Sequence, residues 1–384
     1  MQRLLRGLRN FYQKGDLMLL FLCLLTTAYG CVIITSATDY MGSTRFLITQ
    51  VGATGIGVLL YIFFSSVDVE IFAERRELLV GFNLFLMLLL IPFGISGNTG
   101  NRSWLDIPGL PFNIQPAEIC KSSFVILLAK IMSMHQNKIS SLKSVSHMGI
   151  HLAFMAGLIV VLSKDAGVAL IFVGIFLVMA FVAGLKVWWF LAGGAAVAAV
   201  FPFVWSNIMQ DYQKNRILMI FDESIDPNGL GIRYHTKQSL LSLTSGGLTG
   251  QGLFNGNRTQ SGSLNAQPTD FIFSAIGEEL GLVGCVFTLL LLGCIIVRCA
   301  YVGLKSPNYM NRLICVGMAA TLMFQVIVNV GMCLGMAPVI GLTLPFVSYG
   351  GSSIVSLYMA MGIVSGIHAR PWPPQHSRYI KPPY

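Results

Sequence analysis

Apolar runs long enough to cross a membrane recur along the whole 384-residue chain. A helix needs about 20 consecutive, mostly apolar residues to span the hydrocarbon core of a bilayer. With 54% hydrophobic and only 11% charged residues, the chain is far more apolar than a soluble domain. The pattern predicts an all-α polytopic membrane protein, one domain of residues 1–384 with about ten transmembrane helices. These candidate spans lie near residues 17–38, 46–65, 78–96, 115–133, 149–163, 166–184, 187–206, 271–297, 313–335 and 339–366.

Lysine and arginine alternate between the loops, which predicts the orientation of the chain. Cytoplasmic loops collect these residues, so the alternation places both termini in the cytoplasm, with short tails at 1–16 and 367–384. The net charge of +9 then reflects topology, and no nucleic-acid partner is expected. The residues that set the orientation are Arg3, Arg6, Arg9, Lys14, Arg75, Arg76, Lys138, Lys143, Lys186, Arg298, Lys305, Arg312, Arg370, Arg378 and Lys381.

One large polar loop, residues 207–270, falls on the outside by the same rule. Loops of that length are usually functional or disordered. Its mixture of apolar triplets, glycine and charge predicts short amphipathic helices on the membrane surface. Within it, SGGLTGQG (residues 245–252) lacks the Lys-Ser or Lys-Thr ending of a nucleotide-binding loop. It predicts a turn or a backbone approach to a lipid pyrophosphate.

Three acids mark the apolar run that begins at Phe271. Asp270 directly precedes the run, where it could cap a helix or act as a catalytic carboxylate at the membrane surface. Both interpretations stay open on the residues alone. Glu278 and Glu279 lie two to three turns further on, where a carboxylate usually faces a protein interior or an aqueous cavity.

Two other charged pairs interrupt apolar segments. Glu118 and Lys121, just after Pro116, share one helix face, and an ion pair between them is favoured over direct chemistry. Lys164 and Asp165 separate two short apolar runs, where an ion pair is again favoured. The six histidines have no metal-ligand spacing, so no metal site is predicted.

Residues 329–353, NVGMCLGMAPVIGLTLPFVSYGGSS, resemble the signature of the SEDS family (shape, elongation, division and sporulation), which includes RodA and FtsW. NRSWLDIPGLPFNIQPAEICK and TDFIFSAIGEELGLVG resemble two further family segments in the same order. The resemblance covers essentially the whole chain. It departs before Asp270, where the family pattern L-P-E-x-H-T-D-F has proline, glutamate and histidine in place of Asn265, Ala266 and Pro268.

The resemblance implies a peptidoglycan glycosyltransferase that polymerises lipid II at the outer face of the bacterial cytoplasmic membrane. It implies a class B penicillin-binding protein, a transpeptidase, as partner. Asp270 matches the essential acid of the family and is the candidate general base, with Asp165, Glu278 and Glu279 supporting it. No cofactor is certain, although a divalent cation, Mg²⁺ or Mn²⁺, could help to hold the pyrophosphate. Candidate substrate-binding residues are Arg102, Glu118, Lys121, Arg216, Arg233, Lys237, Ser348 and Ser352.

Two alternatives remain at this point. A lipid II flippase or other transporter would use the buried polar residues as a pathway, and inverted repeats would favour it; no clear repeat is visible. A scaffold would only recruit and activate a penicillin-binding protein. Among the family's roles in elongation, division and sporulation, the short tails favour elongation and a RodA-like member.

Overall fold

The protein is described from a computed structural model, which covers residues 11–95, 102–107, 109, 112–207, 209–226, 231, 233–264 and 266–370. The tails on which the predicted orientation partly rests, residues 1–10 and 371–384, lie outside these ranges. Within them the chain is almost entirely helical. The two strands, β1 (Gly94–Ile95) and β2 (Trp104–Leu105), form a small antiparallel pair.

Fifteen α-helices follow one another along the described chain. They are α1 (Leu17–Thr38), α2 (Arg45–Ser66), α3 (Val69–Glu74), α4 (Arg76–Leu88), α5 (Leu90–Phe93), α6 (Pro116–Met134), α7 (Leu142–Leu158), α8 (Ala166–Val182), α9 (Val187–Asn207), α10 (Asp211–Leu218), α11 (Tyr234–Gly246), α12 (Asn257–Ser261), α13 (Ile272–Lys305), α14 (Tyr309–Cys333) and α15 (Gly351–Ala369).

Eight helical segments of the described chain are long and apolar enough to cross a membrane. They contain α1, α2, α4 with α5, α7, α9, α13, α14 and α15. Two further helices occupy predicted spans: α6 carries buried charges, and α8 has only 17 residues. The prediction of an all-α membrane protein with about ten spans is confirmed.

Two predicted boundaries are wrong. The span expected at 339–366 becomes helical only at Gly351, because Pro338 and Pro345 oppose a continuous helix. Residues 339–350 are therefore an irregular segment ahead of α15. The span expected at 149–163 begins at Leu142, where the Ser141 side chain caps α7 by accepting a hydrogen bond from the Ser144 amide at 3.3 Å.

The large polar loop, residues 207–270, contains the short helices α10, α11 and α12. Of these, α11 packs along the first part of α13. On the opposite side of the molecule, the Arg298 guanidinium donates to both carboxylate oxygens of Asp16 at 2.9 and 3.0 Å. Asp16 is buried and also caps α1 through the Leu19 amide at 3.0 Å. This pair fixes α13 against the start of α1.

Helix α13 is broken at Gly281, whose backbone is left-handed with φ 65° and ψ −163°. At about 1.5 Å per residue, its 34 residues would extend far beyond a membrane core of about 30 Å. Before the break nearly every side chain is buried, whereas Leu282 and Val283 directly after it are exposed and apolar. The part of α13 with exposed apolar side chains therefore begins after Gly281, and the preceding part packs against the large polar loop.

The glycine-rich segment 245–252 pairs with the break in α13. Amides of Gln251 and Gly252 donate to the carbonyls of Glu278 and Glu279, each at 2.9 Å. In return the Leu282 amide donates to the Gly247 carbonyl at 3.0 Å. These backbone groups of the segment bind protein backbone, so its close packing against α13 explains its glycines.

Candidate active site

Asp270 lies in the turn before α13 and does not cap the helix. The N-cap position belongs to Phe271, and no side chain accepts a hydrogen bond there. The capping role that the sequence left open is therefore wrong, and the Asp270 carboxylate is not committed to the helix end. Its backbone is held instead: the Asp270 carbonyl accepts a hydrogen bond from Asn329 Nδ2 at 2.9 Å.

The irregular segment 339–350 frames Asp270. The hydroxyl of Ser348 donates to the Thr269 carbonyl at 2.5 Å, and the Tyr349 amide donates to the Pro268 carbonyl at 2.7 Å. A Cβ built on Gly341, whose φ is +70°, would lie 3.7 Å from Asp270 Oδ2. The SEDS-like signature thus folds around the residues that carry the candidate base.

Burial raises the pKa of Asp270 from its ordinary value to about 6. A hydrogen bond from the Thr269 side chain opposes the shift, and the negative charge of Asp165 adds to it. A carboxyl group with this pKa is a stronger base than an ordinary aspartate, yet it is largely ionised at neutral pH. These properties suit it to accept a proton from a sugar hydroxyl.

Asp165 does not form the predicted ion pair with Lys164. Its carboxylate caps α8 by accepting from the Val168 amide at 3.1 Å, and it accepts from the Ser103 hydroxyl at 3.3 Å. Lys164 is exposed, with a left-handed backbone. Burial raises the pKa of Asp165, and the charge of Glu118 contributes to the shift. The sequence-based expectation failed because the cap and the hydroxyl, rather than the adjacent lysine, satisfy this carboxylate.

Glu118 and Lys121 form the predicted pair on α6. Lys121 Nζ lies 2.6 Å from Glu118 Oε1, and both side chains are only 4% exposed. The Ser356 hydroxyl of α15 donates to the other glutamate oxygen at 3.3 Å. The pair therefore joins α6 to α15 inside the bundle, close enough to Asp165 for its charge to be felt there.

Glu278 and Glu279 anchor the large polar loop rather than reaching the carboxylate of Asp270. Glu278 accepts from the amides of Arg258 and Thr259, each at 2.9 Å, at the start of α12. Glu279 accepts from the Ser36 hydroxyl at 2.6 Å and from Gln260 Nε2 at 2.9 Å. Both carboxylates are buried; Glu278 binds the loop that precedes Asp270, and Glu279 joins that loop to the end of α1.

The candidate cations occupy different positions around this loop. Arg216 Nη1 donates to the Val339 carbonyl at 3.2 Å, which brings a positive charge to the segment around Asp270. Arg233 and Lys237 flank the first turn of α11, and Arg102 is exposed between β1 and α6. The structure thus brings Arg216 to the framing segment and leaves Arg102 on the surface.

The hydroxyls of Ser348 and Ser352 bind backbone. Ser348 Oγ also accepts from the Leu344 amide at 2.8 Å, and Ser352 Oγ accepts from the Gln115 amide at 3.0 Å. Both serines were predicted to bind substrate. Their observed contacts fix the signature segment and the start of α6, and their binding of substrate stays a prediction.

Sequence reasoning missed two amides that organise the site. Asn329 also donates to the Leu342 carbonyl at 2.6 Å, so one side chain links α14, the framing segment and Asp270. Gln267 donates to the carbonyls of Ala37 and Thr259 at 2.5 and 3.0 Å. A buried amide inside an apolar helix was the available signal for Asn329.

In the described part of the chain, no group of three or more His, Cys, Asp or Glu could hold a metal ion.

Comparison with known proteins agrees with this architecture. The family model described as FtsW/RodA/SpoVE cell cycle protein matches residues 16–371. Peptidoglycan glycosyltransferase MrdB of Escherichia coli K12 is 32% identical over 366 residues, 94% of this chain and 95% of that protein. Stage V sporulation protein E of Bacillus subtilis strain 168 is 32% identical over 372 residues, 95% of this chain and 98% of that protein.

A solved structure is also similar over nearly the full length. A chain from a peptidoglycan synthase complex, described as coordinating polymerization and crosslinking, matches with a TM-score of 0.77 and 30% identity. The match covers 95% of this chain and 99% of that chain. Family match, relatives and fold agree with the SEDS-like motifs: the chain belongs to the FtsW/RodA/SpoVE family.

Proposed function

We propose that this chain is a peptidoglycan glycosyltransferase that polymerises lipid II, with Asp270 as the general base. The observation that carries the proposal is the half-buried carboxyl group of Asp270, whose pKa is raised to about 6, framed by the family's signature segment just before α13. The glycosyltransferase name of a full-length relative supports the same activity.

The reaction joins two lipid-linked sugars. The 4-hydroxyl oxygen of the acceptor forms a bond to the anomeric carbon of the donor, while the bond from that carbon to the pyrophosphate oxygen breaks. Asp270 takes the proton of the attacking hydroxyl. Arg216, together with Arg233 and Lys237 on α11, supplies positive charge for the departing pyrophosphate. Mg²⁺ or Mn²⁺ could share that task.

The proposed reaction takes place at the outer face of a bacterial cytoplasmic membrane, with both chain termini inside. The distribution of lysine and arginine supports this orientation. We also propose a class B penicillin-binding protein as partner, because polymerised strands must be cross-linked. The similarity to a chain from a peptidoglycan synthase complex supports such an assembly.

The test compares the wild type with Asp270→Asn, each purified with its partner and given labelled lipid II. Polymer is resolved on a gel. We expect glycan strands from the wild type and none from the variant, because the amide cannot accept the proton. Asp39→Asn is the matched control, since Asp39 is an exposed carboxylate at the outside end of α1.

Equal polymer from wild type and Asp270→Asn would contradict the role of Asp270. If the partner protein by itself makes the polymer, the result would support the alternative in which this chain is a scaffold. If neither protein yields polymer, movement of lipid II across vesicles would support the transporter alternative.

A further inference from the structure

Asn329 lies in the second half of α14 and has no exposed surface. Its neighbours along the helix, Val328 and Val330, are apolar. A polar side chain buried in such surroundings is nearly always hydrogen-bonded, because leaving it unpaired costs free energy. The partners of Asn329 therefore indicate why an amide stands at this position.

Both N–H groups of the Asn329 amide are used by backbone carbonyls of two separate segments. Nδ2 donates to the Asp270 carbonyl at 2.9 Å and to the Leu342 carbonyl at 2.6 Å. A primary amide nitrogen has two N–H groups, so both donors are committed. One bond holds the turn before α13, and the other holds the framing segment.

The oxygen of the same amide has no comparable contact. Oδ1 of Asn329 is buried without a hydrogen-bond partner in the part of the chain that the structure describes. Turning the amide over would place this oxygen against two carbonyl oxygens, which accept but do not donate. The two carbonyls therefore fix the orientation of the amide, and the side chain leaves its own acceptor unpaired in order to hold them.

Two more side chains of α14 contact the same two segments. The Cys333 thiol, one turn after Asn329, lies 3.8 Å from the Asp270 carbonyl oxygen. Met332 Sδ accepts from the Ile340 amide at 3.2 Å. Sulfur is a weak donor and a weak acceptor. Asn329 therefore supplies the strong hydrogen bonds on this face of α14.

The segments that Asn329 joins meet beside the Asp270 carboxylate. Gly341 directly precedes Leu342, and a Cβ built on Gly341 would lie 3.7 Å from Asp270 Oδ2. Because one amide group holds both the Asp270 and the Leu342 carbonyl, it fixes the distance between the turn and the framing segment. Loss of the amide would let the carboxylate move relative to Gly341.

We propose that Asn329 is a positioning residue for the transfer step, holding the Asp270 carboxylate at a fixed place beside the framing segment. This inference rests on the proposed glycosyltransferase function. Asn329 acts through the backbone of Asp270 and takes no part in the proton transfer itself. Since a general base must lie within hydrogen-bond reach of the proton that it accepts, loss of Asn329 should slow the chemical step more than it weakens substrate binding.

Two variants remove the paired hydrogen bonds in different ways. In Asn329→Leu the side chain has a similar size and no donor. In Asn329→Ser it is smaller, and its one O–H can serve at most one of the two carbonyls. Gln325→Met is the matched control, because Gln325 lies one turn earlier on the same helix face and is 1% exposed. It removes a buried amide from α14 and leaves both hydrogen bonds of Asn329 in place.

Steady-state polymerisation of labelled lipid II by each purified protein with its partner separates positioning from binding. We expect both Asn329 variants to lower kcat about 10²-fold, the loss that a misplacement of about 1 Å causes, with KM close to the wild-type value. Gln325→Met should keep both values. The fall in activity at acid pH, set by Asp270 with Asp165 nearby, should move to lower pH in the Asn329 variants, because a released turn exposes the carboxylate more.

Hydrogen exchange tests the contact without turnover. Amides 269–271 and 340–344 should exchange faster in both Asn329 variants and at the wild-type rate in Gln325→Met. Thermal unfolding of each variant gives the folded fraction, to which kcat is normalised.

Unchanged exchange or a wild-type kcat in Asn329→Leu would overturn the inference, as would an equal loss of kcat in Gln325→Met. A loss in only one of the two Asn329 variants would assign the effect to packing and overturn it as well. Absence of polymer from the wild type would instead contradict the proposed function.

Discussion

Gly281→Ala should disrupt the part of α13 that precedes the break, residues 272–280, although residue 281 lies far along the helix from Asp270. Only glycine readily adopts φ 65° and ψ −163°. A Cβ at this position would lie 2.4 Å from the Gly250 nitrogen and 2.5 Å from the Leu248 carbonyl oxygen. Both atoms belong to backbone, so no side chain can turn away to make room.

The expected cost follows from strain and lost hydrogen bonds. A residue forced into this backbone region costs about 1–3 kcal/mol. The Leu282 and Val283 amides donate across the break at 3.0 and 3.2 Å, and losing both costs a further ~1–3 kcal/mol net. We therefore expect Gly281→Ala to destabilise the folded protein by about 4 kcal/mol. Because the region before the break leads back to Asp270, polymerisation should fall as well.

Thermal unfolding of the purified protein measures the loss of stability. Hydrogen exchange of amides 247–252 measures how far the glycine-rich segment has come loose from α13. Gly293→Ala is the matched control on the same helix, because no atom lies within 4 Å of a Cβ built there. It should leave stability unchanged or raise it by up to about 1 kcal/mol. Equal melting temperatures for the two variants, with unchanged exchange in the glycine-rich segment, would refute the reasoning.

Three further predictions concern charge. Activity should fall about tenfold per pH unit below pH 6, because Asp270, whose raised pKa is about 6, loses its basic form as pH falls through that value. Asp165→Asn removes a neighbouring negative charge, so the fall in activity at acid pH should move to lower pH. A pH–rate profile that does not move would contradict an electrostatic interaction between Asp165 and Asp270. Glu118→Gln leaves the buried Lys121 charge unpaired and should cost about 3–5 kcal/mol. Adding Lys121→Met should recover part of that in denaturant unfolding, whereas strictly additive losses would argue against the pair.

Some features of the site could be read from the sequence because they depend on local spacing. Glu118 and Lys121 lie three residues apart after a proline, and a helix brings such residues to one face whatever surrounds it. The short helices of the large polar loop were likewise predictable from its composition. These features depend on neighbours along the chain.

Other features were mispredicted because distant segments decide them. Asp270 looked like a cap, but Asn329 of α14 and Ser348 of the framing segment hold its turn in another position. Asp165 looked like the partner of Lys164, but Ser103 and the start of α8 satisfy its carboxylate. Asn329, Ser348 and Ser103 lie far along the chain from these acids, so the sequence pattern does not reveal their contacts. The cap of α8 by Asp165 is local, and the sequence contained it.

The sequence by itself determined that the chain is an all-α membrane protein and where most of its spans lie. Apolar length and charge distribution act on each segment separately, so no knowledge of neighbouring helices is needed. Only the tertiary structure decided that α13 breaks at Gly281 and that residues 339–350 fold around Asp270. Those outcomes require segments far apart in the chain to satisfy one another's buried polar groups, and that condition exists only once the helices have packed.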